Sequence, residues 1–138
     1  MKKIRILITV VCAASMLSCG GAKFDSPNEI INNFYTQLKK CNYEKAAEIG
    51  VSYFADIFDN DFRILIKTNK QKAISDISER FKEKNEHRRM IDFEIVEEEK
   101  DGNKVIITVK EIYEDDRERE EDYTFVESDG AWICIDVN

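Results

Sequence analysis

The apolar residues of this chain change their spacing once, and the change divides the sequence into two halves that cannot fold alike. Before Met90 they recur every three or four residues: Ile30, Ile31, Phe34, Tyr35 and Leu38, then Phe54, Ile57, Phe58, Phe62 and Leu65, then Ile74, Ile77 and Phe81. That is the repeat of an amphipathic helix. After Met90 the period is two: Ile91, Phe93 and Ile95 alternate with Asp92 and Glu94, as in a strand buried on one side. Helices first and strands afterwards predict an α+β fold, with N-terminal helices packed on a C-terminal antiparallel four-stranded sheet.

Boundary signals divide these halves further. Ser26-Pro27-Asn28-Glu29 reads as a capping box with proline at the first helical position. Asn42 is placed to cap a short helix from Tyr43 to Ile49, which Gly50 closes. A third helical pattern begins at Ser52, with Asp59-Asn60-Asp61 interrupting it, and a fourth runs from near Asn69 to Lys84. Asp101-Gly102-Asn103 is a hairpin turn leading into a strand from Lys104 to Tyr113. The charged residues Glu114 to Asp122 hold a second turn, Tyr123 to Val126 form a third strand, and Ser128-Asp129-Gly130 leads to a last strand, Ala131 to Val137. One domain, residues 26–138, accounts for all of it.

The N-terminus belongs to a different class of segment. Lys2, Lys3 and Arg5 precede twelve uncharged residues, Ile6 to Leu17, and then Ser18-Cys19-Gly20-Gly21. A basic start, a short apolar run and small residues at a cleavage point describe an export signal. The run is too short to span a bilayer, which takes roughly 20 apolar residues. Met16-Leu17-Ser18-Cys19 resembles the lipobox of bacterial lipoproteins, departing from it in Met16 where leucine is usual. Cys12 has too little apolar sequence before it to compete. The resemblance implies a signal peptide over residues 1–18, lipidation of Cys19 and a tether over residues 19–25. The protein would then be exported and lipid-anchored in the cell envelope, with the outer membrane as its expected site. Ordinary cleavage near Ala14 or Ser18 would instead leave Cys19 a free thiol.

Loss of Lys2, Lys3 and Arg5 would leave 18 basic against 28 acidic side chains, a net charge of −10. Such a domain is a poor partner for nucleic acid, whose binding rests on clustered Lys and Arg. Lipid would have to supply the membrane affinity. Cys41 and Cys134 would face an oxidising compartment, where they either bridge the two halves or remain separate thiols.

Three short motifs also resemble small bacterial lipoproteins of the nuclear transport factor 2-like (cystatin-like) superfamily. They are Ser26-Pro27-Asn28-Glu29, Tyr43-Glu44-Lys45-Ala46 and Asp129-Gly130-Ala131-Trp132. The resemblance implies a curved sheet wrapped around helices, a cone with room for a pocket. Some enzymes of that superfamily move a proton with an Asp and a Tyr in an apolar cavity. Asp56, Tyr35, Tyr53 and Tyr113 are the residues here considered for such a role, although their spacing matches no catalytic motif.

Other chemistry finds no foothold. His87 is the only histidine and sits among Glu86, Arg88 and Arg89, so the common zinc sites cannot be assembled. The acidic runs Glu97-Glu98-Glu99 and Asp115 to Asp122 match no calcium loop and suit soluble strand ends. No cofactor is implied. The leading expectation is a non-catalytic, lipid-anchored module binding a small apolar ligand or an envelope protein. The rivals are a small Asp/Tyr enzyme and a purely structural protein whose cone is filled by Phe34, Phe54, Phe58, Phe93 and Trp132.

Overall fold

The period change at Met90 is also where the architecture changes. The computed structural model describes residues 24–138, so Cys19 and the expected signal peptide, residues 1–18, lie outside the described residues. Four helices come first: α1 (Pro27–Lys39), α2 (Tyr43–Tyr53), α3 (Asn60–Thr68) and α4 (Lys70–His87), with a 3-10 turn, Ala55–Ile57, between α2 and α3. The strands β1 (Met90–Asp101), β2 (Lys104–Tyr113), β3 (Glu118–Ser128) and β4 (Ala131–Val137) follow. They pair in the order β1-β2-β3-β4, a four-stranded antiparallel sheet. The fold is α+β, with a curved sheet closing over the helices.

Local chemistry sets the helix ends. The Ser26 hydroxyl accepts from the Glu29 amide (3.3 Å), while the Glu29 carboxylate reaches back to the Asp25 amide (3.0 Å). Asp59 caps α3 through the Phe62 amide (2.8 Å), which is why the Asp59-Asn60-Asp61 stretch splits the pattern. Asn69 caps α4 through the Lys72 amide (3.2 Å). Asn42 does not cap α2 with its side chain; it donates to Gln37 instead. At the end of α1, Cys41 takes φ 60, its amide bonds the Leu38 carbonyl and the Asn42 amide bonds the Gln37 carbonyl. That is a Schellman ending with a cysteine where glycine is usual.

Three boundaries differ from the sequence expectation. Gly50 does not close α2 but lies inside it, buried, and the helix runs on to Tyr53. No helix starts at Ser52. The charged run is only partly a turn: β3 begins at Glu118 and pairs along β2, with Glu120 opposite Lys110 and Asp122 opposite Thr108. Opposed charges across a ladder suit a strand as well as a turn. Ile91 does not join Phe93 and Ile95, because a register shift between Met90 and Asp92 turns it outward, 45% exposed.

The core lies between α1 and the concave face of the sheet. Ile30, Ile31, Phe34 and Tyr35 of α1 meet Val105, Ile107 and Val109 of β2 and Tyr123 and Phe125 of β3. A smaller cluster, Ala47, Val51, Phe62, Ala73, Ile74 and Ile77, joins α2 and α3 to α4. The chain docks on this body from Phe24 onward, earlier than the expected start at Ser26. The Phe24 amide donates to the Tyr53 hydroxyl (3.0 Å) and the two rings lie 5.6 Å apart.

A left-handed conformation costs a non-glycine residue about 1–2 kcal/mol. Cys41→Gly should therefore raise stability by about 1 kcal/mol, read as a higher urea midpoint with an unchanged slope.

Candidate functional site: a pocket with a tyrosine and carboxylate floor

Where the C-terminal end of α4 passes over the sheet, the aromatic residues do not fill the space. A pocket of about 240 Å³ remains. Phe34, Phe54, Phe81, Phe58, Ile57 and Met90 form its apolar walls, and Lys84 and Arg88 stand exposed at its rim. Phe34 packs against Phe54 at 5.1 Å and Phe81 at 5.7 Å between ring centres. Gly50 also lines the pocket, and a Cβ built on it would meet no atom within 4 Å. A glycine inside a helix costs about 1 kcal/mol relative to alanine, so here it trades helix stability for room.

The floor is polar. Tyr35, Glu111, Tyr113, Glu121 and Tyr123 converge there from α1, β2 and β3. The Tyr35 hydroxyl donates to Glu111 Oε1 (2.8 Å) and the Tyr113 hydroxyl donates to Glu111 Oε2. The Tyr35 and Tyr123 hydroxyl oxygens are 2.5 Å apart, and Tyr123 donates to Glu121 Oε2 (2.9 Å). Arg119 closes the chain on Glu121 Oε1 at 2.8 Å. Glu111 is 5% exposed, the buried charged residue of the described core. Its position follows from β2 itself, where Val105, Ile107, Val109, Glu111 and Tyr113 all face inward. Arg88 lies over the Tyr113 ring, 5.5 Å from its centre.

Burial is the main reason the phenols of Tyr35, Tyr113 and Tyr123 hold their protons far above the usual range for tyrosine. Neighbouring carboxylates add to it: Glu111 for Tyr35 and Tyr113, Glu121 for Tyr123. The phenols are thus hydrogen-bond donors, and the floor combines neutral phenols with carboxyl groups in an apolar surround.

Of the residues considered from sequence, Tyr35 and Tyr113 belong to this floor. Tyr53 does not; its hydroxyl accepts from Phe24. Asp56 is exposed on the 3-10 turn and does not line the pocket, so the acid among the tyrosines is Glu111 rather than Asp56. Glu111, Glu121 and Tyr123 were not foreseen. Their signal was parity: each shares the inward register of its strand with apolar neighbours. The pairing of Cys41 with Cys134 is not formed. Cys41 is exposed near Asn85, while Cys134 is buried on β4 and donates to the Asp136 carbonyl. Burial pushes the Cys134 thiol up to about 12. Among the described residues no group of three or more His, Cys, Asp or Glu is placed to hold a metal ion.

A curved antiparallel sheet closing over helices around a pocket is the arrangement of the NTF2-like folds. A crystal structure of a Campylobacter jejuni protein described as an NTF2-like transpeptidase shares it, with a TM-score of 0.52, 16% identity and coverage of 79% of this chain and 96% of that one. At that identity the likeness concerns the fold. The chain belongs to the family described as a domain of unknown function, DUF4878, whose pattern matches residues 17–135. No curated protein matches it in sequence.

Two measurements test this site. The buried phenols have folded-state pKa values above their unfolded value near 10, so their contribution is complete below about pH 10 and declines as pH rises beyond it. The urea midpoint should fall as pH rises above about 10, and more gently in Tyr35→Phe, which should itself lose about 1–3 kcal/mol at neutral pH. In the native protein iodoacetamide should modify Cys41 and leave Cys134 intact, as peptide mapping would read; equal labelling of the two would contradict their burial difference.

Proposed function

We propose that this chain is an exported lipoprotein, held at the bacterial envelope through lipid on Cys19, whose NTF2-like domain binds a small, largely apolar ligand in its pocket. The single observation that carries the binding reading is the open interior. A purely structural protein would gain by packing those aromatic walls solid, since interiors are normally close-packed. Here a Cβ placed on Gly50 would meet no atom within 4 Å, so the fold leaves room that even alanine would begin to fill. A pocket of about 240 Å³ lies just below the range of drug-sized sites, about 300–1,000 Å³, so the fitting ligand is compact.

The anchor rests on Met16-Leu17-Ser18-Cys19 and the basic and apolar segments before it. One acyl chain holds a protein only marginally, whereas two or three on one cysteine hold it durably. Docking of Phe24 supports a tether shorter than residues 19–25. From Cys19 to Phe24 the extended chain reaches about 17 Å, so the pocket would work close above the membrane.

Calorimetric titration with indole should show saturable one-to-one binding. Gly50→Leu should abolish it while raising the thermal midpoint, because leucine favours the helix by about 0.8 kcal/mol. Unchanged binding in that variant would refute the pocket as the site. Cells given labelled palmitate should incorporate it into the protein and not into Cys19→Ala; label on the variant would remove the anchor.

A further inference from the structure

The floor of the pocket has more acceptors than donors. Four oxygen–oxygen contacts link Tyr113 to Glu111, Glu111 to Tyr35, Tyr35 to Tyr123, and Tyr123 to Glu121. Three phenols supply three protons for these four contacts, and a carboxylate supplies none. With both glutamates ionised, one of the four therefore lacks a donor. Charge is short in the same sense. Arg119 offsets Glu121 at 2.8 Å, but among the described residues no lysine or arginine forms an ion pair with Glu111. Glu111 is 5% exposed and accepts hydrogen bonds from phenols, while Arg119, its partner across the ladder, pairs with Glu121. As a carboxylate Glu111 is a buried charge without a counter-ion of its own, which is costly.

Both shortages have the same remedy. Resting on the pocket-binding reading above, we propose that the ligand is a small apolar amine whose ammonium group enters head first and donates to Glu111 and its neighbouring phenols. An ammonium brings a positive charge and three donors. The walls suit the rest of such a ligand, since aromatic faces attract a cation and its apolar body alike. A carboxylate head fits the opposite way round. It would be repelled at the floor and could only meet Lys84 and Arg88 at the rim, leaving Glu111 unpaired.

Two probes of equal shape separate these cases on the full-length protein: 3-phenylpropylamine and 3-phenylpropionate. The amine should bind at least about tenfold more tightly than the acid, the gain of one charge-assisted hydrogen bond. Glu111→Gln should weaken the amine by a similar factor. Tighter binding of the acid, or an amine affinity unaffected by Glu111→Gln, overturns the inference. Where Glu111→Gln fails to fold, the amine and acid affinities of the unmodified protein decide between the two outcomes. Indole binding without amine binding overturns the ligand class alone, whereas failure of indole and both probes removes the pocket reading with it.

Discussion

A carboxylate on the inward face of a sheet strand must be given partners by elements far away in sequence, and here that need joins the two halves of the molecule. Glu111 lies in register with Val105, Ile107 and Val109, where an unpaired charge would cost several kcal/mol. Tyr35 comes from α1, 76 residues earlier, to donate to it, and Tyr113 donates from the same strand. Tyr35 also touches Tyr123, so one helix side chain ties β2 and β3 together beneath the pocket. If Tyr35 were placed elsewhere, both the helix-to-sheet packing and the satisfaction of Glu111 would fail together.

That constraint explains why the pocket has two kinds of surface. The floor is polar because the network cannot be removed without stranding Glu111. The walls are aromatic because α1, α2 and α4 must still bury their apolar faces against the sheet. Gly50 sits at the seam between these demands, with helical backbone and no side chain, and the volume it leaves is continuous with the pocket. A fold that needed only stability would have placed alanine there.

Much of the fold was legible in sequence because it rests on local signals. Period, caps and turn residues placed four helical segments and four strands, and the Asp129-Gly130 turn, with φ 52 and 78, is the mirror-image type its sequence favours. The errors fell where local signals were ambiguous. Gly50 read as a stop, yet a helix continues through glycine when its flanks are well packed. The run Glu114 to Asp122 read as a turn because charge suggested solvent, yet alternation lets a charged strand show one face to water while Glu121 faces the floor.

By itself, the sequence determined the order of elements and, outside the register shift at Ile91, the buried side of most of them, since spacing of three or four and spacing of two are properties of neighbours along the chain. It also placed Tyr35 and Tyr113 among the candidates. Only the tertiary structure decided that Glu111, Glu121 and Tyr123 complete their set and that Asp56 and Tyr53 do not. The reason is physical. A buried carboxylate is defined by what surrounds it in space, and the residues around Glu111 are brought there by the closing of the sheet over α1.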